Sequence, residues 1–252
     1  MSTTNSERPV ALITGGGTGV GQACAMHFAA RGYDVIVNYS RSATEADETA
    51  ERVAEFGGRV LTQQCDVSND ESVRTMIAVI EAEFGRLDVL VNNAATTHFV
   101  DHKDLEGMTE AMWDRILAVN LKGPFFVTRA ATKLLTAGVG GAVVNVSSVA
   151  GENGRGSSIA YCASKAGLNT MTKSLARVLA PTVRVNAVCP GPIDSRWIRQ
   201  GNPKWDLDKM VAGYPIPRAS QPSDIADVVV FLAIEAKMVT GQLLSVDGGQ
   251  TL

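Results

Sequence analysis

Apolar and polar positions along this chain fall into blocks, and each block carries the period of one kind of element. Seven short runs are rich in apolar or β-branched residues: VALIT (10–14), VIVNY (35–39), RVLTQQ (59–64), LDVLVNN (87–93), AVVNVSS (142–148), VRVNAVCP (183–190) and LLSVDGG (243–249). Several are almost continuously apolar rather than alternating, the pattern of strands covered on both faces in a parallel sheet. Between them the period lengthens to that of a helix. Residues 19–31 read as a helix closed by Gly32, and 44–56 as a polar helix with Glu48 and Arg52 one turn apart. Val73, Ile77, Ile80 and Phe84 mark one apolar helix face, with Ser68 and Glu71 spaced as a capping box. A long helix is predicted over 113–135, interrupted at Gly123-Pro124. Another runs over 160–180 and is halted by Pro181, and a last one over 224–233 has Ser223 as its cap.

Strand and helix alternating from end to end predict an α/β fold: one doubly wound, Rossmann-type parallel sheet of about seven strands with helices on both faces. No linker or repeat divides the chain. Residues 9–252 therefore read as a single domain, preceded by a polar, flexible N-terminal stretch, 1–8. The one long irregular insertion, 194–217, is rich in Arg, Trp, Pro and Gly and reads as a flap over a site.

Composition narrows the function classes. The chain has 252 residues, 45% hydrophobic and 19% charged, with a formal net charge of −3. No basic run suggests nucleic acid or an anionic membrane. No apolar h-region or spanning segment is apparent. Cys24, Cys65, Cys162 and Cys189 are scattered without CxxC spacing, which argues against a zinc site or a disulfide framework and fits a cytoplasmic protein. Cys162, beside Tyr161, reads as a small buried filler rather than a nucleophile. His98 and His102 have metal-ligand spacing for a helix but follow a strand end, so no metal site is expected.

Candidate chemistry begins at the first strand–helix junction, TGGGTGVG (14–21). Small residues there let backbone N–H groups and a helix N-terminus approach a pyrophosphate. The first motif, T-G-x(3)-G-x-G, departs from GxGxxG and resembles that of the classical short-chain dehydrogenase/reductase family. So do Asn92-Asn93-Ala94-Ala95 after the fourth strand, the set Asn120, Ser148, Tyr161 and Lys165, Pro190-Gly191 after the sixth strand, and Val246-Asp247-Gly248-Gly249 near the end. The match runs from about residue 9 onward. It departs from the family at Ala95, where Gly is usual, and at Ser195, where Thr is frequent.

This resemblance implies a nicotinamide dinucleotide held by Gly15, Thr18, Gly19, Val20, Gly21, Asn93 and Ala94, with Asp66 accepting from the adenine amino group and the Val67 backbone supporting the ring. Pro190, Gly191, Ile193 and Ser195 would line the nicotinamide. The second strand ends near Asn38, without the acidic residue that binds a ribose 2′-OH, and Ser40 and Arg41 follow. A guanidinium with hydroxyl donors suits a 2′-phosphate, so NADP(H) is favoured over NAD(H). Many NADP-using members carry Arg where this chain has Thr18, and Arg41 read by itself could be a solvated loop charge.

Tyr161 and Lys165 would lie one turn apart on a helix. Alone, such a pair could be an ordinary surface contact. In the family context an ammonium near the phenol lowers its pKa toward working pH. Tyr161 would then protonate the developing alkoxide while hydride passes from the nicotinamide to a carbonyl carbon. Ser148, 13 residues before Tyr161, would orient the same oxygen in preference to Ser147, since strand alternation lets only one face the site. Lys165 would also hold the nicotinamide ribose, and Asn120 would disturb its helix and hold a water linking Lys165 to solvent. The expected function is NADP(H)-dependent exchange of a hydride with a ketone or secondary alcohol on a small apolar substrate. Trp197, Ile198, Tyr214 and Ile216 would line the pocket.

The alternative within the family is 3-oxoacyl-[acyl-carrier-protein] reductase. Thr136-Ala137-Gly138-Val139 and Pro181-Thr182 stand where basic residues for an acidic carrier would be expected. A non-catalytic NADP-binding sensor would need only the glycine loop and Arg41. A sugar-nucleotide epimerase would want a different loop and a longer chain. The resemblance also implies a homotetramer formed through the 110–135 and 160–180 helices and the C-terminal strand.

Overall fold

The computed structural model describes residues 8–138, 140–201 and 205–252. Apart from Arg8, the expected N-terminal stretch 1–8 lies outside the described residues.

The seven apolar runs form one parallel sheet: β1 (Val10–Ile13), β2 (Asp34–Tyr39), β3 (Val60–Gln64), β4 (Val89–Asn92), β5 (Gly141–Val146), β6 (Val183–Pro190) and β7 (Leu243–Val246). Their order is β3-β2-β1-β4-β5-β6-β7. Successive side chains point to opposite faces, so each strand supplies two cores. Ala11, Ile13, Val89, Val91, Ala142 and Val144 face one cluster with Phe28, Ala226 and Val229. Val10, Leu12, Leu90, Val143, Val183 and Val185 face the other, with Ile80, Phe84, Val127 and Leu134. The first cluster is covered by α1 (Gly19–Ala29) and α10 (Pro222–Val230), the second by α3 (Asp70–Phe84) and α5 (Gly123–Thr136). β1 leads outward to β2 and β3, and the chain then returns to β1's other side as β4. At that reversal of strand order the carboxyl ends of β1 and β4 open a crevice, where ligands of such sheets bind.

Element ends differ from the sequence expectation where local chemistry overrides the period. The cap of α3 is Asn69, which accepts from Ser72 N–H at 2.9 Å. Ser68 instead donates its hydroxyl to Asp66. Pro222 occupies the first turn of α10, where its missing N–H is not needed. That places the cap at Gln221, whose N–H bonds Asp224 at 2.7 Å, rather than at Ser223. The expected helix 113–135 is two helices, α4 (Glu110–Leu117) and α5, joined by a π turn, Ala118–Lys122, centred on Asn120. The 160–180 helix is α7 (Ile159–Leu179), capped by Ser158. The remaining helices are α2 (Ala43–Ala54), the short α6 (Ala150–Asn153), α8 (Arg196–Gly201) and α9 (Leu207–Val211) inside the 194–217 segment, and a second π turn, Phe231–Glu235, after α10. No described helix is long and apolar enough to cross a membrane.

Candidate active site

A cleft of about 1240 Å³ opens along the carboxyl ends of the strands. At its centre the turn after β1 is held by side chains rather than by its own sequence. Asn38 Oδ1 accepts from Gly15 N–H at 3.2 Å, and Asn93 Nδ2 donates to the carbonyls of Thr14 and Gly15 at 2.9 and 3.0 Å. Thr14 Oγ1 accepts from the N–H groups of Asn93 and Ala94. Gly19 has a φ of +54°, and a Cβ there would meet nothing within 4 Å. Gly21 faces the other way: a Cβ on it would lie 2.2 Å from the Gly15 carbonyl oxygen. Gly21 is therefore a packing position, behind the wall that Gly15, Thr18, Gly19 and Val20 form. Thr18 stands at the cap of α1 without a side-chain cap bond, and the first turn holds no acidic residue. Those N–H groups and the helix dipole suit an anion.

At the other end of the cleft are Ser148, Tyr161 and Lys165. Ser158 caps α7 by accepting from Tyr161 N–H, which fixes where Tyr161 begins its turn. Lys165 is 3% exposed; its ammonium donates to the Val146 carbonyl at 2.8 Å and lies 5.7 Å from the Tyr161 ring centre. Ser147 and Ser148 both reach the cleft just past the end of β5, but their hydroxyls take different partners. The Ser147 hydroxyl donates to Asn169 Oδ1 at 2.6 Å, while the Ser148 hydroxyl donates to the Pro190 carbonyl at 3.5 Å and accepts from Ala150 N–H at 3.1 Å, close enough to the Tyr161 phenol to influence it. Asn120 is 1% exposed and is not on the cleft wall. Its side-chain amide exchanges bonds with the Thr96 backbone and donates to Ser164 at 3.1 Å, and Ser164 bonds the Tyr161 carbonyl. Asn120 thus ties the loop after β4 to α7.

One electrostatic expectation is corrected. Burial pushes the Tyr161 phenol up to about 12, outweighing the Ser148 hydrogen bond, and Lys165 is not among the groups that draw it down. Burial also brings the Lys165 ammonium down to about 8. In this structure desolvation prevails over the attraction between ammonium and phenolate.

The comparisons with known proteins agree with this geometry. The profile of the family described as Enoyl-(Acyl carrier protein) reductase matches residues 15–251. The chain is 40% identical to the "Granaticin polyketide synthase putative ketoacyl reductase 2" of Streptomyces violaceoruber, over the whole of both chains. It is 39% identical to the 3-oxoacyl-[acyl-carrier-protein] reductase FabG of Staphylococcus aureus, over 95% of this chain and 96% of that one. Among solved structures, "a putative short-chain dehydrogenase/reductase from Burkholderia xenovorans" superimposes with a TM-score of 0.91 at 37% identity, covering 97% of this chain and 98% of that chain. The chain belongs to the short-chain dehydrogenase/reductase family. It is an oxidoreductase.

The residues present in this short-chain dehydrogenase/reductase fit a nicotinamide dinucleotide. The glycine turn and uncapped α1 face the middle of the cleft. Ser40 and Arg41 line it beyond β2, and Arg41 is exposed, with no ion-pair partner among the described residues. Asn38 is 1% exposed, and its amide also donates to the carbonyls of Gln63 and Cys65. Its part is to shape the turn. Asp66 and Val67 line the same side. Burial raises the Asp66 carboxyl, but hydrogen bonds from Ser68 and Arg115 outweigh it and hold the group below its ordinary value. Arg115, on α4, reaches Asp66 at 3.0 Å. Nothing in its helical spacing announces that contact across 49 residues. Pro190, Gly191, Ile193 and Ser195 line the cleft next to Tyr161. Asp247 of VDGG bonds the N–H groups of Gly249 and Thr251, so the motif builds its own turn; a Cβ on Gly191 would lie 3.0 Å from the Asp247 backbone.

On the wall opposite Tyr161, the expected Trp197, Ile198 and Tyr214 are in place, and Phe99, Trp205 and Arg155 join them. These three sit on loops that carry no periodic signal. Ile216 does not line the cleft: its N–H bonds the Gly248 carbonyl, and its side chain is 56% exposed. His98 and His102 lie on the loop after β4 rather than on a helix, and no described group of three or more His, Cys, Asp or Glu could hold a metal.

Proposed function

We propose that this short-chain dehydrogenase/reductase is NADP(H)-dependent and interconverts a ketone and its secondary alcohol. The observation that carries this is one cleft with Ser148, Tyr161 and Lys165 together at one end and an unpaired Arg41 beside the glycine turn at the other. When bound, the dinucleotide would deliver a hydride with its two electrons to the carbonyl carbon in reduction and take them back in oxidation. The chain's own groups manage the proton and the geometry. Ser148 and Tyr161 line the same end of the cleft, so a ketone oxygen placed between them meets two hydroxyl donors. A phenol held near 12 is protonated at neutral pH and fit to give its proton to the new alkoxide. Lys165, brought near 8 and 5.7 Å from the Tyr161 ring centre, is placed to pass a proton on toward the phenol through a bound hydroxyl or water. Asn120 supports this through Thr96 and Ser164, which fix the loop and helix around Tyr161. Residues 194–217 act as the substrate flap. The single-domain division at 9–252, cytoplasmic residence and a homotetramer belong to the same proposal; Phe125, Ile159 and Leu244, exposed on α5, α7 and β7, support the last.

The alternative substrate is a 3-oxoacyl group on an acyl-carrier protein, as the FabG relative's name states for that protein. The lack of basic side chains at 136–139 and 181–182 disfavours carrier docking here. A non-catalytic NADP sensor is disfavoured by the hydroxyl, phenol and ammonium converging at one point.

The test follows absorbance of the reduced cofactor over a panel of ketones with NADPH and with NADH. NADPH is preferred, and Arg41→Ala lowers the preference at least about tenfold, the scale of one charge-assisted contact. Equal use of both cofactors by the parent protein refutes the NADP assignment. Tyr161→Phe loses at least about a thousandfold in kcat while still binding NADPH. Loss of binding instead makes Tyr161 structural.

A further inference from the structure

The wall facing Tyr161 has a composition that an aliphatic chain does not call for. It holds two of the chain's three tryptophans. Trp197 packs edge-on to Tyr161, ring centres 6.4 Å apart at 66°, and is still 39% exposed. Trp205 meets Phe99 edge-to-face at 5.3 Å and 85°, and both are only partly buried. Tyr214 completes the corner. Aromatic rings left open beside a reaction centre offer flat, quadrupolar surface, which rewards a flat aromatic guest beyond simple area burial.

The charges on this wall are equally uneven. Most cationic side chains along the cleft already have a partner: Arg115 with Asp66, Arg196 with Glu45, Lys209 with Asp206, and Lys165 with the Val146 carbonyl. Arg41 stands apart, at the end of β2. At the Tyr161 end, Arg155 has no ion-pair partner among the described residues. Its neighbour Gly156 packs on the Tyr161 ring, where a Cβ would come within 3.2 Å of Cδ1. Arg155 and Tyr214 line the same cleft; burial, with Asp247, raises the Tyr214 phenol, and Arg155 opposes that rise. Arg155 and the aromatic corner therefore share one space.

We propose that the substrate is a free aryl ketone bearing a carboxylate, its ring seated among Phe99, Trp197, Trp205 and Tyr214 and its carboxylate on Arg155. This rests on the assignment of the chain as a ketone reductase, and the test separates the two. With NADPH, kcat/KM is measured for 4-oxo-4-phenylbutanoate, its methyl ester, and 4-oxopentanoate, which replaces the phenyl group by methyl. The phenyl acid exceeds the methyl acid at least about tenfold, and the acid exceeds its ester by a similar factor. Trp205→Leu brings the phenyl-to-methyl ratio toward one without changing the acid-to-ester ratio. Arg155→Gln does the reverse, and Arg155→Lys restores part of the acid preference. Quenching of tryptophan fluorescence by 4-oxo-4-phenylbutanoate, reduced in Trp205→Leu, reports binding independently of turnover. If 4-oxopentanoate or the ester matches the phenyl acid, the substrate proposal falls and the reductase stands. If other ketones are reduced and these three are not, it falls likewise. If no ketone of any kind oxidises NADPH, both fall.

Discussion

The two walls of the cleft are built in opposite ways. In the wall made by the strand ends and α7, and just behind it, side chains clamp backbone: Asn93 on Thr14 and Gly15, Lys165 on the Val146 carbonyl and, behind the wall, Asn120 on Thr96. The wall made by the 194–217 segment has two short helices, α8 of six residues and α9 of five. It is anchored by Leu207 and Val211 and two backbone bonds, and carries ion pairs at the surface, Arg199–Asp194 and Lys209–Asp206 within the segment and Arg196–Glu45 across to α2. Buried hydrogen bonds to backbone fix positions to fractions of an ångström and are costly to break. Exposed ion pairs contribute only about 0–1 kcal/mol each. The first wall suits chemistry that must be repeated without variation, and the second suits a surface that adapts to its substrate.

The comparison predicts that damage to the two walls scales differently. Gly21→Ala is the severest change. The added carbon would meet the Gly15 carbonyl at 2.2 Å and Asn93 Nδ2 at 2.6 Å, and neither can retreat without opening the clamp on the turn. Stability falls by about 3 kcal/mol, read as a lower urea midpoint, and NADPH binding is lost with it. A variant of parental stability and affinity would show that the turn is soft.

Next in size is a pH effect on the same wall. Lys165 is brought from an ordinary 10.5 to about 8 by burial. Below pH 8 it is charged both folded and unfolded, and its burial opposes folding in full. Between about 8 and 10.5 the unfolded chain holds a proton that the folded chain has released, so stability rises with pH. Tyr161 works the other way, from 10 toward 12, because the folded state keeps its proton longer. Relative to Lys165→Met, the parent protein therefore gains on the order of 2 kcal/mol between pH 8 and 10.5, allowing for water in the cleft. Parallel stability curves for the two proteins would place the ammonium in solvent-like surroundings.

The same contrast explains what the sequence makes legible. The strands and the glycine turn show through periodicity and spacing, because the first wall is built of regular elements following one another along the chain; the Ser148, Tyr161, Lys165 set shows only through its resemblance to the family's motif. The π turn at 118–122 leaves no mark on the hydrophobic period, since one extra residue in a turn barely disturbs it; only the resemblance points to a disturbed helix at Asn120. The Asp66–Arg115 pair, Phe99 and Arg155 are hidden too: they meet the site only after α4 or a loop has packed, and neither composition nor period encodes that approach. Ile216 shows the converse error, since closeness along the chain to Tyr214 does not make it a neighbour in the cleft. The opposed expectation for Tyr161, an ammonium winning against burial, failed because a sequence shows which charges are near and not how dry the site is.

The smallest predicted effect tests the second wall by itself. Arg196, on α8, bonds Glu45 on α2 at 2.7 Å across 151 residues, with side chains 51% and 32% exposed. Arg196 is itself a cleft residue, and Gly17 of the turn packs directly on Ala46, next to Glu45. The pair therefore joins the 194–217 segment to the turn's side of the cleft. Its exposure and salt screening limit its worth, so Arg196→Ala leaves global stability close to the parent's. What it alters is how long the segment stays across the cleft. Backbone amides of α8 exchange faster, and the NADPH off-rate rises about two- to threefold with kcat changing by no more than that. High salt applied to the parent protein reproduces the change in off-rate, and the variant no longer responds to salt. A stability loss as large as that of Gly21→Ala would mean that the two walls are not built differently after all, and that the ion pairs at the surface hold as firmly as the clamps beneath the turn.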